Sequence, residues 1–402
     1  MKKNFLCITI LLLIFFSSAL CYAQDVEAPS MSASQNVEIS SHAAILVDSN
    51  SGKILYEKNA YEKVYPASTT KILTAIVVLE NCPLEDIVTI SDYAVNSIPA
   101  SYAGLTLEVG EELTVEQLLN LLLISSSNIA GNALAEHVSG SVDNFSILMN
   151  EKASLLGCQN SNFVNPYGLH NENHYTTAYD LSLISKYAMQ NEVFRNIVAK
   201  STYTLPPTNK TARTRTYKTT NELLRLPDSS DKTSFFYSNA IGIKTGFTGN
   251  AKECLVASSN KDSFEIISVV LGSETSELKY IDTIALFDFA YANYEYRELQ
   301  DISIPISSVQ ISNATENTKN LDLYCENTIS VLMEKSDINS IPAPTIVLNK
   351  DLKAPIQAGD VIGEVYYAVS DTEYRTNLIA GNNVEALSFW KQILKVIQGL
   401  FL

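Results

Sequence analysis

The stretch from residue 72 to 79 limits the fold of this chain more than any other feature. All of its residues except Thr74 are apolar. An α-helix that is apolar on every side must be surrounded by protein, so this stretch predicts a helix at the centre of a domain. With 402 residues, the chain is long enough for such a domain and a second, smaller one.

Composition and charge narrow the class of protein. Apolar residues make up 46% of the chain and charged residues 18%, which is typical of a globular protein and excludes wholesale disorder. The formal net charge of −16 argues against nucleic acid as a partner, because phosphate binding requires a net basic surface. A local lysine can still hold an anionic substrate.

The N-terminus predicts export from the cytoplasm. Lys2 and Lys3 precede an apolar run over 5–16, and small residues follow at 17–19 and at Ala23. This order is typical of a secretory signal peptide, predicted over residues 1–23, and we expect a polar linker over 24–40. The alternative, a membrane anchor, is disfavoured because the run is shorter than the ~20 apolar residues that span a bilayer.

Four cysteines remain beyond the signal, namely Cys82, Cys158, Cys254 and Cys325. They lie far apart and form no Cys-x-x-Cys pair, which suits neither a zinc ribbon nor a dense disulfide scaffold. We therefore expect free thiols, buried as small apolar side chains.

The pattern over residues 41–294 predicts one α+β domain, in which an antiparallel sheet is combined with helices. Apolar runs at 43–47 and 54–56, separated by turn residues, predict a β-hairpin. Thr114 with Gln117 and Thr177 with Asp180 resemble capping boxes that open helices ending near 123 and 189. Further elements are three strands and a helix, at 240–245, 254–258, 264–271 and 276–292.

Beyond residue 294 the pattern is that of short strands and turns, which predicts a small β-rich domain over 297–380. The strands are expected at 302–304, 321–323, 329–333 and 361–369. Residues 383–402 alternate apolar and polar side chains at helical spacing, with Phe389, Trp390 and Lys391 among them. Such an amphipathic helix suits a membrane surface, and the alternative is a helix docked on the protein's own core.

A Ser-x-x-Lys pattern opens the predicted central helix, at Ser68 and Lys71. A serine at a helix N-terminus can direct its backbone N–H at a developing oxyanion, and a lysine three residues later lies within reach of the hydroxyl. A neutral lysine there can act as a base. The spacing recurs at Ser229, Ser258, Ser276 and Ser388, but only Ser68 precedes a buried helix.

Two further motifs follow in order along the chain. Ser126-Ser127-Asn128 comes just after the helix that ends near residue 123, where a simple capping role is the alternative. Lys244-Thr245-Gly246 ends a predicted strand, where an ordinary turn is the alternative. The ordered set Ser-x-x-Lys, Ser-x-Asn and Lys-Thr-Gly is that of class A β-lactamases and penicillin-binding proteins.

On these motifs the chain resembles the serine-type D-alanyl-D-alanine carboxypeptidases, or low-molecular-mass penicillin-binding proteins. The similarity extends to the segments 65–75, 122–124, 165–181, 242–248 and 254–258. It implies a β-lactamase/transpeptidase-like domain followed by the β-rich domain and the C-terminal helix. The chain departs from the family at two positions. Ser127 stands where Gly is usual, and Lys252 stands where the family usually has a Gly after the alanine that matches Ala251.

The resemblance implies that the protein removes the terminal D-Ala from peptidoglycan stem peptides through an acyl-enzyme, and that β-lactams inhibit it covalently. Ser68 would be the nucleophile, Lys71 its base, and Ser126 a proton relay to the departing D-alanine. Asn128 would orient Lys71 and the substrate.

On the same resemblance, Lys244 and Thr245 would bind the terminal carboxylate, and Gly246 would allow close approach of the substrate backbone. The N–H groups of Ser68 and Phe247 would form the oxyanion hole. We expect a protein exported across the cytoplasmic membrane and retained at its outer face.

Two rival functions remain open. A β-lactamase of class A needs a deacylating glutamate between the second and third motifs, whereas the matching Glu116 precedes Ser126. A binding protein with the same fold is the other alternative. His170 and His174 have a ligand-like spacing, but no third ligand is apparent, so a structural role is expected, with neither metal nor cofactor.

Overall fold

A computed structural model describes residues 37–99, 102, 107–227, 234–337, 343–369, 372–391 and 393. The expected signal peptide over 1–23 and residues 24–36 of the expected linker lie outside these described residues. The last residues of that linker belong to the folded body, because Ile39 is buried and the backbone N–H groups of Ser40 and Ser41 donate to the Asp282 carboxylate.

An antiparallel sheet of five strands forms the framework of the first domain. Its strands are β1 (Ala43–Asp48), β2 (Ile54–Lys58), β7 (Ala240–Thr248), β8 (Lys252–Lys261) and β9 (Phe264–Ser273). Their order across the sheet is β2-β1-β9-β8-β7. Two small pairs add β3 (Ile87–Thr89) with β4 (Glu112–Thr114) and β5 (Thr202–Leu205) with β6 (Arg215–Lys218). The predicted hairpin and the three later strands are confirmed.

Eight helices surround this sheet within the described residues. They are α1 (Lys71–Asn81), α2 (Asp92–Asn96), α3 (Val115–Ile124), α4 (Asn128–Ser139), α5 (Val142–Leu155), α6 (Ala178–Met189), α7 (Glu192–Val198) and α8 (Ser276–Asn293). Helix α1 is buried continuously from Lys71 to Val78, as its apolar sequence predicts. The core of the domain therefore forms around the helix that follows the Ser-x-x-Lys motif.

The two expected capping boxes differ in outcome. At α3, the Thr114 side chain accepts from the Gln117 N–H while the Gln117 side chain accepts from the Thr114 N–H, so this box is confirmed. At α6, Thr177 caps the helix, but Asp180 does not complete the box. Its carboxylate instead accepts from the Asn160 N–H and the Ser161 hydroxyl, because the preceding loop offers closer donors.

The second domain is all β, as predicted. Its strands are β10 (Tyr294–Gln300), β11 (Ser307–Gln310), β12 (Asn320–Cys325), β13 (Ile329–Glu334), β14 (Thr345–Leu348), β15 (Val361–Val369) and β16 (Thr372–Ala380). Five of them form a sheet in the order β11-β12-β16-β15-β14, and β10 pairs with β13 separately. The strand expected at 302–304 is wrong, because the Asp301 carboxylate accepts from the Ser303 N–H and hydroxyl and folds this segment into a turn.

The chain stays extended beyond the last strand. Val384 bridges to Ile356 and Ala386 to Ala314, and helical backbone begins only at Phe389 rather than at 383. Most of the expected amphipathic helix, at 392 and 394–402, lies outside the described residues. Within the part of the chain that is described, no helix is long and apolar enough to cross a membrane.

The four cysteines beyond residue 23 are free thiols, as expected. Cys254 and Cys325 are buried, whereas Cys82 and Cys158 are half-buried. Burial raises the pKa of the Cys254 thiol to about 12 and that of Cys158 to about 12, so both are thiols rather than thiolates at neutral pH.

The α3 cap provides a test of the fold. We expect Thr114→Val to destabilise the protein by about 1 kcal/mol, because the side chain that accepts from the Gln117 N–H is lost. For a domain of this size, that corresponds to a fall in melting temperature of about 2–4 °C, measured by calorimetry. Thr114→Ser retains the hydroxyl and should melt close to the unaltered protein; equal losses for both variants would contradict the role of the cap.

Candidate active site

Ser68 lies in a 3₁₀ turn, Ala67–Thr70, that leads directly into α1. Side chains three residues apart eclipse one another in a 3₁₀ turn, so Ser68 and Lys71 face the same way. The Lys71 Nζ is 2.9 Å from the Ser68 Oγ. The sequence predicted the serine at the N-terminus of the α-helix, and the structure places it in a tighter turn just before the helix, where the two groups are in direct contact.

The Lys71 amino group has three hydrogen-bond partners. Besides the Ser68 Oγ, its Nζ lies 2.7 Å from the Asn128 Oδ1 and 2.7 Å from the backbone oxygen of Tyr167. Both of these oxygens can only accept hydrogen bonds. A neutral amine has two N–H groups and one lone pair, so two donated bonds leave the lone pair for the Ser68 hydroxyl proton.

The buried environment favours this neutral form. Lys71 is fully buried, and its pKa is held well below the usual range, chiefly by burial and also by the charge of Lys244. Burial likewise lowers the pKa of Lys244 to about 7, with a further contribution from Lys279. The site therefore combines an amine that favours its neutral form, at Lys71, with a second lysine, Lys244, that titrates near neutral pH.

The turn between α3 and α4 supplies the amide that meets Lys71. The Asn128 Nδ2 donates to the backbone oxygen of Tyr102 at 2.7 Å, which directs the Oδ1 toward Lys71. Ser127 caps α4 by accepting from the Ala130 N–H. Ser126 is half-buried with a φ of 61°, so the backbone reverses there and Asn128 is the first residue of α4.

The third motif lies on β7, at the edge of the sheet, alongside the serine turn. A Cβ added at Gly246 would lie 2.9 Å from the Ser68 backbone nitrogen, so only glycine permits this close approach. Lys244 is buried and donates to the Thr245 backbone oxygen at 2.8 Å. The Phe247 side chain is 62% exposed, at the outer end of the motif.

Thr220 is a neighbour of this motif that the sequence did not single out. Its hydroxyl lies 2.6 Å from that of Thr245. No sequence signal marks Thr220, because it joins the site only through this contact with a residue 25 positions away in the chain.

The loop over 165–174 holds the serine turn from the opposite side. The Asn165 Oδ1 accepts from the Gly168 N–H at 2.7 Å, which shapes the loop so that the Tyr167 oxygen faces Lys71. Gly168 has a φ of 85°, and a Cβ there would lie 1.8 Å from the Ala67 oxygen. The sequence marked this segment by its Asn, Pro and Gly content but assigned no role to Tyr167.

His174 stabilises the same turn. Its Nδ1 accepts from the Val164 N–H at 3.0 Å, so the Nε2 carries the proton and donates to the Thr70 hydroxyl at 2.8 Å. Burial lowers the pKa of His174 to about 3, which keeps the ring neutral. Both ring nitrogens of His174 are thus engaged in hydrogen bonds within the protein. Among the described residues, no group of three or more His, Cys, Asp or Glu is arranged to hold a metal ion.

Comparison with known proteins agrees with this geometry. A family model described as D-alanyl-D-alanine carboxypeptidase matches residues 29–275, and one described as the C-terminal domain of penicillin-binding protein 5 matches residues 296–386. The D-alanyl-D-alanine carboxypeptidase DacF of Bacillus subtilis is 33% identical over 328 residues, which are 80% of this chain and 79% of that protein.

Solved structures show the same architecture. Penicillin-binding protein 3 of Streptococcus pneumoniae, described as a peptidoglycan synthesis regulatory factor, is similar with a TM-score of 0.73 and 25% identity over 87% of this chain and 100% of that one. Penicillin-binding protein 5 of Haemophilus influenzae gives a TM-score of 0.66 and 29% identity over 88% and 100%. The resemblance inferred from the three motifs is confirmed, and the chain belongs to the D-alanyl-D-alanine carboxypeptidase family of serine peptidases.

Proposed function

We propose that this protein carries out its D-alanyl-D-alanine carboxypeptidase activity on peptidoglycan stem peptides through an acyl-enzyme on Ser68. One observation carries the proposal: two oxygens that can only accept face the Lys71 amine, which leaves its lone pair for the Ser68 hydroxyl. A serine beside a buried neutral amine is an activated nucleophile at neutral pH.

In acylation, the Ser68 Oγ attacks the carbonyl carbon of the penultimate D-alanine, and its proton passes to the Lys71 Nζ. The backbone N–H groups of Ser68 and Phe247 stabilise the oxyanion. The carbon–nitrogen bond then breaks, and the departing D-alanine amine receives the proton by way of Ser126. Asn128 keeps Lys71 in place throughout.

In deacylation, a water molecule attacks the acyl carbonyl and gives its proton to Lys71. The ester bond to Ser68 breaks, and the serine oxygen recovers a proton from Lys71. The shortened peptide leaves with a new terminal carboxylate.

Substrate binding follows from the position of β7 at the sheet edge. An edge strand has unpaired backbone groups that an extended peptide can meet, and Gly246 leaves room for that peptide beside Ser68. Lys244 and Thr245 bind the terminal carboxylate. A β-lactam enters by the same route and is captured by the same serine.

Neither rival function gains support from the described residues. Glu116 lies in the first turn of α3, where its negative charge is favourable at the N-terminus of a helix. This position does not support a deacylating role like that of the glutamate in a class A β-lactamase. A protein that binds without turnover does not need the Ser68–Lys71–Asn128 contacts, which are all formed.

We also propose that the chain acts outside the cytoplasmic membrane and stays at its outer face. The support is the signal-like pattern over 1–23 and the amphipathic pattern of the C-terminal segment. Phe389 and Trp390, at the start of that segment, are 70% and 73% exposed. The division into a catalytic domain over 41–294 and a β-rich domain over 297–380 is part of the same proposal.

Replacing the nucleophile tests the mechanism. We expect Ser68→Ala to abolish both D-alanine release from a Lys-D-Ala-D-Ala peptide and covalent attachment of penicillin, because no acyl bond can form. Lys71→Ala should slow acylation severely, and the double variant should be little worse than Ser68→Ala alone. Peptide release is followed chromatographically, and the adduct by intact mass and peptide mapping.

Ser388→Ala is the matched control, since Ser388 also precedes a lysine by three residues but lies far along the chain. It should retain full activity. A penicillin adduct on any serine other than Ser68, or rapid penicillin destruction without peptide cleavage, would refute the proposal.

Replacing Lys244 tests carboxylate recognition. We expect Lys244→Ala to weaken kcat/KM for a peptide acid by about 10- to 150-fold, the equivalent of about 1.5–3 kcal/mol for a charge-assisted contact. The corresponding peptide amide should lose much less. Equal losses for both would show that Lys244 serves the chemistry or the fold.

The same lysine predicts a pH dependence. Lys244 is charged below its pKa of about 7 and neutral above it, so for the peptide acid kcat/KM should fall as pH rises through about 7. For the peptide amide, which has no carboxylate for Lys244 to bind, kcat/KM should not show this fall.

Removing residues 388–402 tests membrane retention. We place the cut after Leu387 because its N–H donates to the Asn313 oxygen and Ala386 bridges to Ala314. The shortened protein should keep its activity on soluble peptide and move from membrane to soluble fractions. Phe389→Ser with Trp390→Ser in the full chain should have the same effect; unfolding of both proteins would instead assign the segment to the core.

A further inference from the structure

A cavity of about 500 Å³ lies at the end of the β7–β8 hairpin, next to the segment that precedes the serine turn. Three lysines, Lys58, Lys63 and Lys252, line it, against the single carboxylate of Glu274. Tyr65 forms part of its wall. In a chain with a net charge of −16, this concentration of cations is a local exception.

The cavity is not lined by Ser68 or by residues 244–248, but Tyr65 and Lys252 connect it to the acyl side of the proposed substrate site. Tyr65 precedes Ser68 by three residues, and its backbone oxygen is 3.9 Å from the Cys254 sulfur, whose residue pairs with Gly246. On the same hairpin, Lys252 pairs with Thr248, two residues beyond Gly246. The order along β7 is therefore the carboxylate-binding residues, then the position opposite Ser68, then the cavity.

A substrate extended along β7 follows this order. Its terminal carboxylate lies at Lys244 and Thr245, and its scissile carbonyl lies at Ser68. Extended chains advance about 3.4 Å per residue, so the residue before D-Ala–D-Ala lies about 7 Å from the terminal D-Ala, beside Thr248 on the free edge of β7. Lys252 lies on the other side of β7, on β8, because it pairs with Thr248. The backbone of β8 is two strand spacings, about 10 Å, from that substrate residue. A long side chain on the residue can cross β7 and meet the Lys252 side chain in the cavity.

The lysines retain donors for a ligand. The Lys58 Nζ donates to the Ile39 oxygen at 2.6 Å, which uses one of the three N–H groups of an ammonium. Lys63 lies over the Tyr175 ring, 4.5 Å from its centre. Lys252 pairs with Glu274, but both side chains are substantially exposed, and a surface pair of this kind is weak enough for another carboxylate to replace it.

Lys252 also has a backbone conformation that its residue type rarely adopts. Its φ is 58°, in the left-handed region that favours glycine and asparagine. The side chain is thus presented to the cavity from a strained position, and strain of this kind is concentrated at functional sites.

We propose that this cavity binds a carboxylate on the side chain of the residue that precedes D-Ala–D-Ala. The inference rests on the proposed function, because it places the substrate by Ser68 and Lys244. It assigns the protein a preference among stem peptides, for those with a dicarboxylic residue at this position.

Three acetylated peptides X-D-Ala-D-Ala test the preference, where X is diaminopimelate, its side-chain amide, or lysine. Lysine differs from diaminopimelate only by the missing carboxylate, and the amide keeps the shape without the charge. We expect kcat/KM to be about five- to tenfold higher for the free carboxylate than for either other peptide. The difference should shrink as salt is raised, because the cavity is open to solvent.

Two variants locate the effect. Lys252→Asn accepts the left-handed backbone while it removes the charge, and Lys63→Gln removes a second charge. Each should lower the preference toward unity and leave the rate on the lysine peptide unchanged. Lys218→Gln, an exposed lysine on β6 outside the cavity, is the control for net charge and should keep the full preference.

The outcomes separate the two proposals. Equal D-alanine release from all three peptides, or a preference that survives in both cavity variants, would overturn the cavity assignment and leave the peptidase function standing. Absence of release from every peptide would overturn the proposed function, and the inference with it.

Discussion

The amino groups of Lys71 and Lys244 are withdrawn from water, and much of the surrounding structure follows from this constraint. Burial disfavours the ammonium form and lowers both pKa values. The unfolded chain binds these protons more readily, so at neutral pH the two lysines reduce the stability of the fold, and this loss disappears only above their unfolded pKa values. The oxygens of Asn128 and Tyr167 make the burial of Lys71 tolerable, since each accepts from its amine.

The serine turn is held on two sides by close backbone approaches. Gly246 on β7 faces the Ser68 nitrogen, and Gly168 in the 165–174 loop faces the Ala67 oxygen. Ala67 itself has a φ of 48°, a conformation that persists because its surroundings determine it. The neutral imidazole of His174, hydrogen-bonded through both ring nitrogens, also stabilises the turn by its contact with Thr70. Packing therefore fixes the position of Ser68, the proposed nucleophile, before substrate arrives, which favours efficient catalysis.

On the proposed function, the charges around the site match an anionic substrate, although the chain as a whole is acidic. Lys244 and Lys71 are buried, and Lys279 nearby is paired with Glu253, so its charge is compensated while it still lowers the pKa of Lys244. The lysines of the adjoining cavity are more open to solvent. In the proposed substrate complex, binding of the terminal carboxylate would thus depend on a desolvated cation, whereas recognition of the acyl side would depend on weaker, salt-sensitive contacts.

The sequence by itself determined the family, the α+β class, the central helix α1 and the three motifs of the site. All of these depend on local periodicity and on residue types at short spacing. It also identified the α3 cap, since both partners lie within one turn. Only the tertiary structure revealed the Tyr167 oxygen, Thr220 and the cavity at Lys252, and it replaced the expected strand at 302–304 by a turn. Backbone oxygens carry no sequence signal, and contacts between segments far apart in the chain arise only when the sheet brings those segments together.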